Sequence, residues 1–276
     1  MRPYGVTCLA GLTLATLLSG CGLESYENRL KAANAYFAYR EDLDTNLDKK
    51  WVGPFGVSLR IPIGFKEVAG PKKEMPDDRV NSRFTRVSEL PGVLAKWEMQ
   101  VPTEDAGTQV AELFLLGNHQ RFLDYDPQNG DAGSPATFFR DLDAQLQAGL
   151  NITMAPAAPG AAADNTWMPG RVPSAGTIPY TATKNYDWAK LSPPESPEVM
   201  PHRIGYVSRY EVPVTKNAKV QVALLCLYPA RMRDATRVQD RLTKTMEQLE
   251  LPPQMPAKPK PGQKPGTAAP APATNF

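Results

Sequence analysis

Apolar and polar positions change period several times along this chain, and each change predicts an element. Leu23, Tyr26, Leu30, Ala33 and Phe37 fall alternately three and four apart, which predicts an amphipathic helix in the segment 21–50. Glu24, Glu27, Arg29 and Lys31 take its other faces, and the repeat is too short to predict a coiled coil. Val57 to Ile61 alternates with period two, the pattern of a strand with one buried face, and Pro62 belongs at its end because it has no N–H to give a ladder. Further strands are expected at Val80 to Val87, at Val93 to Val101 after the Pro91-Gly92 turn, and at Ala111 to Leu116, where apolar residues run almost without a break. Ser134-Pro135 opens a helix with the stripe Phe138, Phe139, Leu142 and Leu146, and Gly149 is its expected left-handed cap. Tyr206 to Val214 and Val220 to Tyr228 predict two strands joined by a hairpin at 216–218. A last helix starts at Asp234, carries Val238, Leu242, Met246 and Leu249 on one side, and stops at Pro252-Pro253.

Two stretches lack such a period. The segment 151–201 holds nine prolines and the Ala-rich run 155–163, so it is expected to be a long insertion. Trp167, Tyr180, Tyr186 and Trp188 are its expected docking points, with at most one strand between Ile178 and Leu191. Trp97 belongs to the core, whereas Trp167 in the insertion should cost much less to remove. The stretch 252–276 has eight prolines and three lysines and no acid, a composition that predicts a disordered tail with polyproline II character.

The first residues change the picture most. Arg2, the mostly apolar Val6 to Leu18 and the small residues that follow have the layout of a secretory signal, too short to span a bilayer permanently. Leu18-Ser19-Gly20-Cys21 resembles the lipobox of bacterial lipoproteins. The resemblance implies cleavage before Cys21, a diacylglyceryl thioether on its sulfur and an acylated amine. Gly22 after the cysteine, rather than Asp, fits outer-membrane sorting by the rule of enteric bacteria. The expected organisation is a signal at 1–20, a lipid-anchored helix at 21–50, a domain at 51–251 containing the insertion, and the tail.

Charge and chemistry then narrow the function. The chain carries a formal +2, but the tail alone contributes +3 and Arg2 leaves with the signal, so the body from Cys21 to Leu251 is about −2. No nucleic-acid partner is expected of such a body. Cys8 goes with the signal and Cys21 is expected to be acylated, which leaves Cys226 alone, an apolar filler with no disulfide partner. His119 and His202 stand far apart and are expected on the surface or in loops, so no metal site is predicted. Asp124, Asp126, Gln128 and Asn129 echo a calcium loop, but Asn129 takes the place of the required glycine and a turn on Asn129-Gly130 is expected instead. Asp141 and Asp143, two apart on a helix, do not face one another and make no acid–base pair. No Gly-x-Ser-x-Gly elbow, His-Glu-x-x-His helix, Walker loop or dinucleotide fingerprint occurs. No cofactor, metal or catalytic residue is predicted.

The strand Val57 to Phe65 ending in Ile61-Pro62-Ile63-Gly64-Phe65, the late strand Val220 to Tyr228 and the closing helix Asp234 to Leu249 resemble the PsbP/DcrB-type fold. That likeness implies an α+β sandwich, an antiparallel sheet flanked by helices, in proteins that mostly bind or support other proteins. The expectation is a non-catalytic binding or assembly module, exported and held at a membrane through its lipid, with a protein or cell-wall partner. The alternative is a small-ligand carrier or enzyme with a pocket under the 151–201 segment.

Overall fold

The two most continuously apolar runs of the chain become neighbouring strands at the middle of one sheet. A central strand has both faces covered and so must be apolar on both; β5 (Thr108–Gly117) and β9 (Ala218–Pro229) meet that demand, and their pairing is antiparallel, with Leu113 opposite Cys226. Around them lie β3 (Lys66–Glu67) and β4 (Val93–Pro102) on one side, and β8 (Arg203–Thr215), β7 (Lys184–Leu191) and β6 (Met168–Val172) on the other. The seven strands run β3-β4-β5-β9-β8-β7-β6, each antiparallel to its neighbours. This computed structural model describes residues 6–68, 90–104, 107–126, 128, 131, 133–156, 164–174, 176–194, 203–216, 218–252 and 254, with side chains from Glu24 onward except that of Thr236. The strand expected at 80–87 and the tail from 255 lie outside the described residues, and so does the Cys21 side chain.

The faces of the sheet are covered differently. One carries Trp97, Leu113, Leu224, Cys226 and Tyr228 beneath α4 (Ala235–Glu247) and the two-stranded hairpin of β1 (Leu47–Val52) and β2 (Ser58–Pro62). The other carries Phe114, Leu116, Val207 and Leu225 beneath α3 (Phe138–Leu150). The protein is therefore an α+β sandwich. α4 presents Val238, Leu242 and Met246, all buried, to the sheet, as the periodicity predicts. Leu249 lies just beyond the helix and is buried with them.

The 151–201 segment departs from its composition. It supplies two strands rather than one, and β6 and β7 complete the sheet. Val172, Tyr186, Ala189 and Leu191 are buried, and Trp167, only 7% exposed, is part of the core under α3. The low cost expected for removing Trp167 is corrected accordingly. Pro169 is tolerated because β6 is the outermost strand, where the missing N–H breaks no ladder.

Helix ends differ in detail. Ser134 caps a 3-10 turn at Pro135–Thr137, its hydroxyl accepting from the Ala136 N–H at 3.3 Å, before α3 proper begins. α3 runs through Gly149 and ends at Asn151, which takes the left-handed conformation (φ 53°) expected of Gly149. Asp234 stands at the N-terminus of α4, itself left-handed, without a side-chain cap bond. α4 ends at Glu247, ahead of the prolines, where the Lys184 ammonium donates to the carbonyls of Glu247 and Leu249 at 2.5 Å each. Cations stabilise a helix C-terminus in this way.

Among its described side chains, α1 (Val6–Asn46) docks on the body from Tyr36 onward, and residues 47–50, expected in the helix, begin β1 instead. Tyr39 donates to Glu247 Oε2 at 2.9 Å, Asp42 pairs with Lys244 at 2.7 Å, and Leu43 is buried. Nearer the N-terminus the stripe is uncovered: Tyr26 is 65%, Leu30 48% and Phe37 66% exposed.

Candidate functional site

Along β8 the side chains alternate between the two faces, and Arg209 falls on the α3 side at the margin of the buried apolar cluster. There its guanidinium carbon lies over two aromatic rings, 4.0 Å from the centroid of Trp167 and 5.5 Å from that of Phe139 on α3. It is also paired on two sides, through Nε with Asp187 of β7 at 3.0 Å and through Nη1 with Asp143 of α3 at 3.6 Å. An arginine suits this place because its planar group can stack and bond in one plane. Two solvent-open clefts meet at Pro169, Asp187 and Arg209. One, of about 560 Å³, runs toward Arg171, Tyr210 and Glu211, and the other, of about 400 Å³, toward Gln147, Met154 and Trp167.

The electrostatics of the groove follow from partial burial. Burial pushes the Asp143 carboxyl above the usual carboxylate range, and Arg209 pulls against that rise. The nearby Trp167 indole also favours the charged carboxylate. Yet neither Asp143 Oδ1 nor Trp167 Nε1 has a partner in hydrogen-bond geometry, and both atoms are buried. At the far end Glu211 is held below its ordinary value: burial raises it, but Lys219 and Gln221 bond it and outweigh that. Serine, threonine, cysteine and histidine are absent from the described lining.

A second polar cluster lies on the same face, nearer the other edge of the sheet. Glu112 interrupts the apolar run of β5 and is buried, with Lys96 of β4 at 2.7 Å on one oxygen and Arg203 of β8 at 2.5 Å on the other. Arg203 reaches across β9 to do so and also donates to the Val110 carbonyl at 3.3 Å. Removing one member would leave a buried charge uncompensated, so the cluster fixes the strands rather than offering a reactive group.

His119, expected on the surface, is buried at the start of α2 (His119–Asp124). Neighbouring Asn118 ties the chain end of β5 to the Pro135 and Lys219 carbonyls and to the Gln221 N–H, and this draws His119 inward. The imidazole stacks on Phe55 at 5.3 Å, neither ring nitrogen has a hydrogen-bond partner, and burial lowers its pKa to about 4. Phe55 reaches it from a left-handed backbone (φ 60°) in the β1–β2 turn. His202, Asn129 and Gly130 lie outside the described residues.

Other expected positions stand apart. Asp126 accepts from the Gln128 N–H at 3.0 Å, a local turn, and Asp124 accepts from Gln120. Asp141 pairs with Arg121 at 2.7 Å while Asp143 faces Arg209, so these two carboxylates serve separate partners. Cys226 is buried in the sheet, and burial pushes its thiol far up. Among the described residues no group of three His, Cys, Asp or Glu could hold a metal ion, and no helix is long and apolar enough to cross a membrane. No protein-family model matches the chain, and no curated protein matches it.

Sequence reasoning missed Arg209, Asp187 and the Glu112 cluster. A glutamate inside an otherwise apolar run was a signal for the last. Arg209 gives none, because a cation on a half-covered strand is ordinary.

Proposed function

We propose that the chain is an exported lipoprotein, anchored through an acylated Cys21 and sorted to the outer membrane, whose PsbP/DcrB-like body is a non-catalytic binding or assembly module. The groove at Arg209 is where it engages a protein or cell-wall partner. One observation carries this reading: Arg209 at the centre of the groove is already paired with Asp143 and Asp187, and the groove's described lining offers no nucleophile beside a base. Such a surface recognises by shape, stacking and charge. The clefts also fall within the range of about 300–1,000 Å³ usual for small-molecule sites, which favours a small-ligand carrier as the second reading.

Two measurements test the two halves. Cys21→Ala should move the folded protein from the membrane to the soluble fraction, since acyl chains worth about 0.8 kcal/mol per buried CH₂ outweigh any attraction of a near-neutral body. Retention after a high-salt wash would refute the lipid anchor. For the groove, a photo-crosslinker placed at Asn185, an exposed residue of its lining, should trap a defined species in cells that the same group at exposed Lys49 does not. Equal labelling at both positions would remove the groove from the proposal.

A further inference from the structure

α1 carries two apolar faces, and only one of them belongs to the body. Tyr36, Tyr39 and Leu43 point inward: Tyr36 meets Tyr180 edge-on at 6.0 Å, Tyr39 bonds Glu247, and Leu43 is buried. At 100° per residue, Tyr26, Leu30, Ala33 and Phe37 form a narrow stripe turned about 120° from that inward face. The body therefore cannot cover the stripe by continuing the packing that holds Tyr39 and Leu43.

We infer that this outer stripe lies on the lipid surface to which Cys21 is tethered, so that α1 rests along the membrane instead of standing the body away from it. The inference rests on the proposed acylation of Cys21. Tyr26, Leu30 and Phe37 together expose on the order of 350 Å², well under the ~800 Å² that each partner buries in a stable complex. A patch that small does not hold a free partner, but a tether makes its docking intramolecular, and a modest apolar area then suffices. Glu24 and Glu27 offset Arg29 and Lys31, so the attraction is apolar rather than electrostatic. Tyrosine and phenylalanine are side chains that settle at a membrane interface.

The loop beside the helix adds an independent sign. Tyr180 is 75% exposed and adopts φ 61°, a backbone conformation unfavourable for a bulky side chain. Its ring meets Tyr36, whose ring is 6.1 Å from Phe37, so the aromatic strip passes from the helix onto the body.

The geometry makes the test sharp. Phe37 is 16 residues beyond Cys21, so on an upright helix it stands about 24 Å from the anchor along the axis. The full lipidated chain carrying Phe37→Trp is reconstituted into phosphatidylcholine vesicles with brominated acyl chains, with the unsubstituted protein as the emission baseline. The added indole should lose emission relative to unbrominated vesicles, equally in low and high salt, and Tyr26→Gln with Leu30→Gln should restore it. Protein that floats with the vesicles but shows no quenching overturns the stripe's docking and leaves the anchor standing. Quenching that disappears in salt overturns the apolar contact. Protein that fails to float refutes the anchor, and the inference falls with it.

Discussion

α4 and the outer half of α1 are both amphipathic helices with apolar residues three and four apart, yet one stripe is buried and the other is bare. Val238, Leu242 and Met246 are buried against the sheet, whereas Tyr26, Leu30 and Phe37 remain exposed. Period reveals that a helix has an apolar side and does not say what covers it. For α4 the cover is the chain's own sheet. For α1 the stripe faces away, and the helix joins the body through a different set of residues that starts at Tyr36.

The comparison breaks hardest in the covered regions. Trp97, 2% exposed and edge-on to Trp51 at 5.1 Å, lies in the cluster beneath α4, and Trp97→Ala should cost about 3–5 kcal/mol in denaturant unfolding. Trp167→Ala should fall in the same range, because Trp167 packs beneath α3. A small loss at Trp167 would mean that the Pro-rich segment behaves like the bare helix rather than the covered one. Between the two helices themselves the contrast is direct: Leu242→Ala should destabilise by about 2–5 kcal/mol, and Leu30→Ala should stay within about 0.5 kcal/mol. Similar midpoints for both would show that something in the isolated protein already covers α1.

Acid sharpens the contrast, since it acts on the body and spares the bare helix. His119 titrates at about 4 when folded, against 6.5 for an ordinary imidazole. The unfolded chain therefore binds the extra proton between those values. The stabilisation is complete above about pH 6.5, is lost as pH falls toward 4, and levels off below; it amounts to roughly 3 kcal/mol. His119→Phe should flatten that slope in a pH series of melting curves, while the helicity of residues 24–38 by hydrogen exchange should not follow it. The smallest clear effect belongs where the two regimes meet. Tyr39→Phe removes the bond to Glu247, whose carboxyl burial raises above its ordinary value, and should cost about 1 kcal/mol. It should also loosen α1 from α4 without lowering the protection of β5 or β9.

Much of the frame was legible because burial on one or two faces leaves a period. β4, β5, β8, β9, α3 and α4 all carry it. β6 was hidden by Pro169 and Gly170, which an edge strand tolerates and which look like loop out of context. His119 had no period to reveal its burial; the inward pull comes from Asn118 bonding to Pro135, Lys219 and Gln221, far along the chain. Arg209, the centre of the groove, left no trace in the sequence. Its environment is built from α3, β6, β7 and β8 together, and no local window contains them.

The position of β9 has a consequence for the order of assembly. It is the last of the described strands to be synthesised and the one through which the sheet is joined, with β5 on one side and β8 on the other. Before Ala218 emerges, the β4–β5 hairpin and the β6–β7–β8 meander have no strand between them, and Leu113 waits for Cys226. Closing so long a loop is slow, because its entropy must be surrendered before the contacts form. A nascent chain thus lacks its central strand pair until Ala218 to Pro229 has been made.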